Sequence, residues 1–462
     1  MYYLIIILFF TFSLKTYSQE KLTYEKVNEK TYEYYLNKNW KELISFGNKA
    51  LKQNIDFYYL RYRLGIAYYE TEKFISAIPE FLKAFEVNPA DNDLNEYLYY
   101  SYLLSGNSEE AGFYFSKLSE SRKNKIRPLN NTFVNDFIAE SGTGINNDLD
   151  KNETADIDGQ DNIYGEQILN DNYFYFRTGL KQIPFQSVSI KYNYSYLNLK
   201  KKKVIRFNDE NHTDNYSQKQ NQFYNGIDIL LPNGLIISPA GQYINSKDKT
   251  IYAEFDSAMY VYDSLSMTYK PVKYFYNITE RETNMDNFVL SLSISKTFSL
   301  FKAGLNGSFS YLNDFHQSQL GTSFTYYPLE NVYLYSKSDF TLHRQKEVTN
   351  LIFSQTIGGR ITDRLFMDLF FTYGRMNNFN EQNGAIVYNN PDVIKYKFGA
   401  ELNYYFPFNL NAYIVYLNQS REKKYLSYFI SGYSNSYPVY SPDSFIQNYN
   451  TNIFLAGLKL LF

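Results

Sequence analysis

The C-terminal stretch NIFLAGLKLLF (Asn452–Phe462) alternates in polarity with a period of two residues. Phe454, Ala456 and Leu458 fall on one face, whereas Lys459 falls on the other. This period predicts a β-strand and not a helix, because successive strand side chains point to opposite faces. In a soluble sheet such a strand would be an exposed, adhesive edge. We therefore expect a paired strand whose apolar face meets lipid.

The same alternation recurs in the second part of the chain. The face opposite the apolar residues carries Ser, Asn, Lys and Glu, which would be unusual in the core of a soluble sandwich. These residues suit the wet interior of a membrane β-barrel. The clearest segments are SVSIKYNYSYL (187–197), NFVLSLSISKTF (287–298) and IKYKFGAELNYYF (394–406).

Composition agrees with a barrel and argues against several other classes of protein. The mean hydropathy of −0.45 is too low for a bundle of transmembrane helices. Aromatic residues make up 19% of the 462 residues, as expected for a barrel with aromatic girdles. A net charge of −2 provides no basic field for nucleic acid. The absence of Cys excludes disulfides and thiol chemistry.

Breaks between the expected strands are alternately short and long, as in outer-membrane barrels with short periplasmic turns and long external loops. They predict about 14 antiparallel strands, with roughly 12 or 16 as alternatives because 250–263 could add a hairpin. Short breaks fall near 182–186, 231–234, 298–301, 327–331, 361–364 and 406–409. The breaks on the opposite side are mostly longer and fall at 143–171, 199–219, 245–285, 344–348, 377–391 and 422–447. One further break on that side, near Asn313, is short.

The N-terminus predicts export from the cytoplasm. An apolar core from Tyr2 to Leu14 is too short to be a comfortable membrane span. Thr16 and Ser18 follow as small residues in front of a cleavage site. We expect a secretory signal peptide over residues 1–18, with an uncleaved N-terminal anchor as the alternative.

Residues 24–118 have helical periodicity and predict a periplasmic repeat domain. The segment from Tyr58 to Asp91 resembles a tetratricopeptide repeat, with Arg61 where that family usually has Trp. Its matching residues are Leu64, Gly65, Tyr68, Ala77, Phe81, Ala84 and Pro89. Shifting by the family's period of about 34 residues gives two weaker matches, so we expect about three repeats. A basic stretch over 119–131 is expected to be a linker.

The resemblance implies a partner-binding groove on the concave face formed by the first helix of each repeat. A periplasmic protein, a peptide or a glycan could bind there. The alternative is that the abundant tyrosines pack between repeats. The groove would be formed by Tyr32, Tyr35, Tyr59, Tyr62, Ile66, Tyr69, Glu70, Glu96 and Tyr100.

Strand parity also predicts which charges face the lumen of a barrel over residues 132–462. The excess is basic, which predicts a modest preference for anions such as acidic sugars. Pairing of these charges across strands is the alternative. The predicted lumen residues are Arg177, Lys181, Lys191, Lys302, Lys337, Arg360, Lys395, Lys397 and Lys459, against Asp228, Asp339, Asp368 and Glu401.

The sequence does not predict catalysis or a cofactor. His343 and Asp339 share a face of one predicted strand but would lie about 13 Å apart, too far for a direct catalytic pair. His212 is expected in a polar loop, and His316 on the lipid face or at a loop tip. We therefore expect a protein that is not an enzyme.

One acidic segment resembles the start of a calcium loop. Asp148, Asp150, Asn152 and Asp156 have suitable spacing. Glu153 stands where the sharp turn needs Gly, and Gly159 where the bidentate acid belongs. These departures favour a solvated acidic loop, so we expect no metal site.

The combined prediction is an α + β multidomain chain: a short α-solenoid followed by a transmembrane barrel in the outer membrane. Phe462 resembles the C-terminal signal that the barrel-assembly machinery recognises. The layout is similar to that of exopolysaccharide-export proteins with periplasmic repeats. That similarity implies transport, export or envelope organisation. A non-conducting structural or receptor barrel is the alternative, because long loops could fold inward as a plug.

Overall fold

The computed structural model describes residues 21–126, 134–153, 162–207, 210–264, 267–407, 409–434 and 437–461. The expected signal peptide and Phe462 lie outside these ranges. The chain forms an N-terminal helical domain followed by a closed antiparallel β-barrel, as the sequence predicts.

The helical domain is built from short helices joined by tight connections, and an eighth helix lies after the first barrel strand. None of the helices in the described ranges is long and apolar enough to cross a bilayer. The stretch expected to be a linker begins with helix α7. The helices are α1 (Tyr24–Leu36), α2 (Trp40–Lys52), α3 (Tyr58–Glu70), α4 (Phe74–Val87), α5 (Asn92–Leu104), α6 (Ser108–Ser116), α7 (Glu120–Ile126) and α8 (Leu149–Glu153).

Small residues at the helix seams let aromatic side chains fill the core of this domain. A methyl group on Gly65 would lie 2.5 Å from the ring of Phe81, which is fully buried. A methyl group on Gly47 would lie 2.7 Å from the Leu64 side chain. Helices α2, α3 and α4 therefore approach each other at positions where any larger side chain would clash.

Fourteen strands form the barrel, and two short strands form a separate hairpin. The strands are β1 (Asp136–Asn146), β2 (Asn162–Phe185), β3 (Val188–Phe207), β4 (Glu210–Leu231), β5 (Leu235–Asp263), β6 (Thr268–Phe298), β7 (Phe301–Leu312), β8 (Phe315–Tyr326), β9 (Leu334–Gln345), β10 (Val348–Thr362), β11 (Leu365–Met376), β12 (Phe379–Glu381), β13 (Ile386–Tyr388), β14 (Val393–Phe406), β15 (Leu410–Ser434) and β16 (Tyr437–Leu461).

The C-terminal strand closes the barrel. Strand β16 pairs on one side with β15 and on the other with β1, where Asp136 is opposite Leu461 and Asn146 is opposite Thr451. Neither edge of β16 is left free along this length. The pairing expected for the adhesive C-terminal strand is therefore present.

The barrel has an apolar exterior and a polar interior. On β8, the outward-facing Leu320 and Phe324 are 64% and 46% exposed, whereas Gln317 and Gln319 on the opposite face are buried. Exposed Leu, Ile, Phe and Tyr recur at the same parity on the neighbouring strands. The polar side chains are buried because they point into the lumen.

Three of the predicted long breaks are wrong. Segments 199–219, 245–285 and 422–447 are mostly strand: β3 and β4, β5 and β6, and β15 and β16 continue as long hairpins. His212 accordingly lies in β4 and not in a loop. Backbone pairing continues beyond the apolar band, where water can reach both faces of a hairpin. The side chains there no longer need to alternate, and the two-residue signal disappears.

Replacing Gly65 with Ile should destabilise the helical domain by about 1–3 kcal/mol, because the side chain would have to displace Phe81. The chain has a single Trp, at position 40 in α2, so urea unfolding followed by Trp fluorescence reports on this domain. Tyr59→Ile on the exposed side of α3 is the matched control and should change the midpoint little. Equal midpoints for the two variants would contradict the packing described here.

Candidate functional site

The interior of the barrel is lined by amide and hydroxyl side chains that bond to one another. Gln218 donates to Ser246 at 2.8 Å, and Gln242 donates to Gln222 at the same distance. Ser310 of β7 donates to Gln317 of β8 at 3.0 Å. Such groups can exchange these bonds for bonds to water or to a polar solute.

Many of the predicted lumen charges are paired with each other or with other residues. Ion pairs join Arg177 to Glu140 at 3.2 Å, Lys191 to Asp228 at 2.6 Å and Lys337 to Asp339 at 3.1 Å. The first two pairs join neighbouring strands, so the cross-strand pairing that the sequence left open is present there, whereas Lys337 and Asp339 lie on the same strand. Other partners are Tyr335 for Asp368, Asn403 for Glu401, Asn448 for Lys395 and Asp136 for Lys459.

Strands β12 and β13 form a hairpin inside the barrel, which we call the plug hairpin. Asn380 donates to Ser308 of β7 at 3.0 Å. Asn383 donates to the backbone of β5 at Ser238 and accepts from Ser291 of β6, both at 2.7 Å. The sequence predicted a break at 377–391 and placed it outside, but the segment folds into the lumen.

Both ends of the plug segment are also fixed. At the start, Asn378 donates to Gln345 at 3.3 Å, and Asn313 donates to Asn378 at 2.6 Å. At the end, Asp392 accepts from Tyr449 of β16 at 2.5 Å and from Asn170 of β2 at 2.7 Å. The segment is therefore held to strands on opposite sides of the barrel.

A buried ion pair connects the plug hairpin to β14. Lys397, only 6% exposed, contacts the carboxylate of Glu381 and donates to the hydroxyl of Tyr388 at 2.7 Å. On the other side, Phe379 packs edge-on against the ring of buried His343. Lys397 is thus a predicted lumen residue whose partner is supplied by the plug.

The helical domain sits on the short-turn end of the barrel, which we call the inner rim. The backbone N–H of Ile75 donates to Glu330, and the backbone N–H of Val332 donates to Leu104. The side chain of Asn331 donates to the backbone carbonyl of Glu72 at 2.8 Å. Further contacts around the rim join Arg360 to Glu72, Thr297 to Asn107 and Asn409 to Ile126.

Helix α6 brings Glu109 to the lysines at this mouth, with the buried Glu110 beside it. Lys181 lies 3.6 Å from Glu109. Burial disfavours the charge on Glu109, but Lys181 and Lys191 favour it more strongly and hold the pKa of this carboxyl below its usual range. Glu110 is buried, which raises its pKa despite the nearby Lys302. Glu109 therefore places a negative charge of the domain against a lysine of the wall.

The predicted partner groove is only partly open. Ile66 is buried, Tyr62 stacks between Tyr58 and neighbouring rings, and Tyr69 packs against Tyr97 and Phe74. Tyr35 contacts Trp40, and Tyr100 contacts Tyr99. Tyr32 and Tyr59 are exposed, with the guanidinium of Arg63 at 5.0 Å and 5.5 Å from their rings, and Glu70 is exposed as well.

The acidic segment after β1 starts as helix α8 and not as a loop. Asp148 accepts from the backbone of Asn450, and the backbone carbonyl of Asn152 accepts from Gln167 and Gln447. Asp150 is exposed, and Asp156 lies outside the described residues. In the part of the chain that the structure describes, no group of three acidic or histidine residues could hold a metal ion.

Sequence reasoning missed both the plug hairpin and the docking of the helical domain. The signal for the plug was weak: NNFNEQNG (377–384) is polar, as an external loop would also be. No periodicity gives the direction in which a loop folds. The docking depends on contacts between residues far apart in sequence, such as Glu72 and Arg360.

No family model matches the chain, and no curated protein is detectably similar in sequence. Among solved structures, the barrel is similar to a FadL homologue from Pseudomonas aeruginosa (TM-score 0.43, 8% identity, covering 70% of this chain and 90% of that one). It is also similar to the toluene transporter TbuX of Ralstonia pickettii (0.32, 8%, 71% and 90%) and to a bacterial polysaccharide outer membrane secretin (0.29, 7%, 72% and 100%). Similarity at this level establishes neither a family nor a function.

Replacing Lys397 with Gln should loosen the plug hairpin, because Glu381 would keep a buried charge without its partner, at a cost of about 3–5 kcal/mol. Hydrogen exchange at the amides of 377–391 should become faster. Replacing Glu381 with Gln as well should restore much of the protection.

Lys395→Gln is the matched control, since Lys395 is a more exposed lysine on the same strand and bonds to Asn448. It should leave exchange in the plug hairpin unchanged. Unchanged exchange in Lys397→Gln would show that the ion pair does not hold the hairpin.

Proposed function

We propose that this chain is an outer-membrane β-barrel that passes polar solutes and is closed in the conformation described here. The observation that carries the proposal is the division of the strands into an apolar outer face and an interior of amides, hydroxyls and paired charges. An apolar exterior such as that around Leu320 suits lipid and is unsuited to water. A hydrophilic interior would serve little purpose if only stability were required.

A glycan is a suitable solute for this interior. Sugar hydroxyls both donate and accept hydrogen bonds, as do the Gln, Asn and Ser side chains of the wall. Gln222, Gln242 and Ser246 form such a patch on neighbouring strands. Export or uptake of glycans is therefore our specific proposal within the broader class of polar solutes.

The plug hairpin supports a second candidate, a non-conducting scaffold or receptor barrel. Its bonds to Ser238, Ser291 and Ser308 and its ion pair with Lys397 would keep the lumen filled. In that case the exposed rings of Tyr32 and Tyr59 would form a docking surface for a periplasmic protein or peptide. Transport requires the plug hairpin to leave the lumen, whereas the scaffold candidate requires it to stay.

Currents across planar bilayers distinguish them. Wild-type protein should be closed with brief openings at most, because both the plug and the helical domain obstruct the barrel. A variant with 379–388 replaced by a short Gly-Ser turn, and without residues 21–126, should conduct steadily. A variant with only the plug replaced is the control, because any remaining block of the current is then due to the helical domain.

Correct folding of each variant is checked by heat-modifiable migration on a gel. If the variant that lacks both the plug and the helical domain migrates as a folded barrel but carries no current, transport is overturned and the scaffold candidate is favoured. Openings of the wild-type protein would overturn the scaffold, because they require the plug to leave the lumen unaided.

We further propose that the inner rim faces the periplasm, because the short turns and the secreted helical domain share that side. An epitope inserted after Ser264, at the end of the long β5–β6 hairpin, should bind antibody on intact cells. The same epitope inserted after Lys38, between α1 and α2, should bind only after the outer membrane is permeabilised. Labelling of the Lys38 insertion on intact cells would reverse this orientation.

A further inference from the structure

We propose that Lys181, Lys191 and Lys302, here called the mouth lysines, form a binding site for a carboxylate-bearing polysaccharide, and that helix α6 occupies this site with its own carboxylates. Docking of the helical domain and binding of the polymer then exclude each other. This inference rests on the proposed function and names the substrate class of the same lumen.

Formal charges at the mouth support the site. The mouth lysines contribute three positive charges, and Asp228, which pairs with Lys191, removes one. Glu109 of α6 balances one of the remaining two, and the buried carboxyl of Glu110 lies beside it. Withdrawal of α6 would therefore leave two uncompensated positive charges in a low-dielectric rim, where the field of such charges is strong.

The geometry resembles a ligand in its site more than an ordinary surface contact. Glu109 lies 3.6 Å from Lys181 of β2, and Lys181 is directly opposite Lys191 of β3 in the strand register. Glu110 beside it is only 7% exposed, and its Oε2 atom accepts no hydrogen bond within the described part of the chain. An unpartnered carboxylate oxygen at this depth is costly, so the site is better suited to a ligand with more freedom to adjust.

A polymer is favoured over a small anion because the lysines open onto the polar wall of the barrel. Tyr175 and Ser195 lie on the lumen faces of the same strands as Lys181 and Lys191, and their hydroxyls are 3.4 Å apart. Sugar hydroxyls could bond to these groups while a uronic carboxylate contacts the lysines. The proposed ligand is therefore an acidic glycan such as a polyuronate.

The competition can be measured without transport. The chain contains no Cys, so Asn107→Cys and Thr297→Cys place one thiol on the domain and one on the rim, where the native side chains are 2.5 Å apart. A short bifunctional thiol reagent then joins them only while the domain is docked. The rate of joining is measured for the full chain with oligogalacturonate, maltodextrin of equal length, or inorganic phosphate.

Saturating oligogalacturonate should slow the joining by at least about fivefold, because the bound polymer and the docked helix exclude each other by mass action. Maltodextrin and phosphate should have little effect. Replacing Lys181 with Gln should weaken the effect of oligogalacturonate, and so should the milder variant Lys302→Gln. Glu72→Gln is the matched control: it removes a docking contact with Arg360 outside the site, so oligogalacturonate should still act on it.

An equal rate with and without oligogalacturonate would overturn the site, as would equal slowing by maltodextrin. Equal slowing by phosphate would overturn the assignment to a polymer. These outcomes are independent of conductance. The bilayer experiment therefore tests the proposed function, and the joining experiment tests this inference separately.

Discussion

The closed ring of backbone hydrogen bonds is the constraint on which the rest of the structure depends. Once β16 pairs with both β1 and β15, each strand has one face toward the outside and one toward the lumen. Polar groups that point inward must then find partners in a confined space. The bonds between amide and hydroxyl side chains, the cross-strand ion pairs and the plug hairpin all meet this requirement.

The same requirement explains why both obstructions of the lumen are polar. The plug hairpin bonds mainly through Asn380, Asn383 and Glu381, and α6 contacts the mouth through Glu109. Apolar plugs would have left the charged wall without partners. Polar contacts can be exchanged for water at modest cost, so these obstructions are compatible with opening.

Much of the fold could be predicted from the sequence, because strand alternation and helix periodicity are local signals. The strand count and the order of domains follow from them. The direction in which a loop folds is not a local property. Strand alternation predicts that Lys397 faces the lumen, but its partner Glu381 lies in a segment that was expected outside the barrel. The contact between Glu72 and Arg360 could not be predicted either, because these residues are far apart in the sequence and meet only in the folded structure.

The contacts of the helical domain with the inner rim imply an order of assembly. The domain is synthesised first, yet Glu72 and Leu104 bind Asn331, Val332 and Arg360, which are far along the chain. Those partners are in place only when β8–β10 have joined the sheet. These contacts of the domain can therefore form only after that part of the rim exists. Asn409, between β14 and β15, contacts Ile126 as well, so the full set of docking contacts marks a barrel whose later strands have also formed.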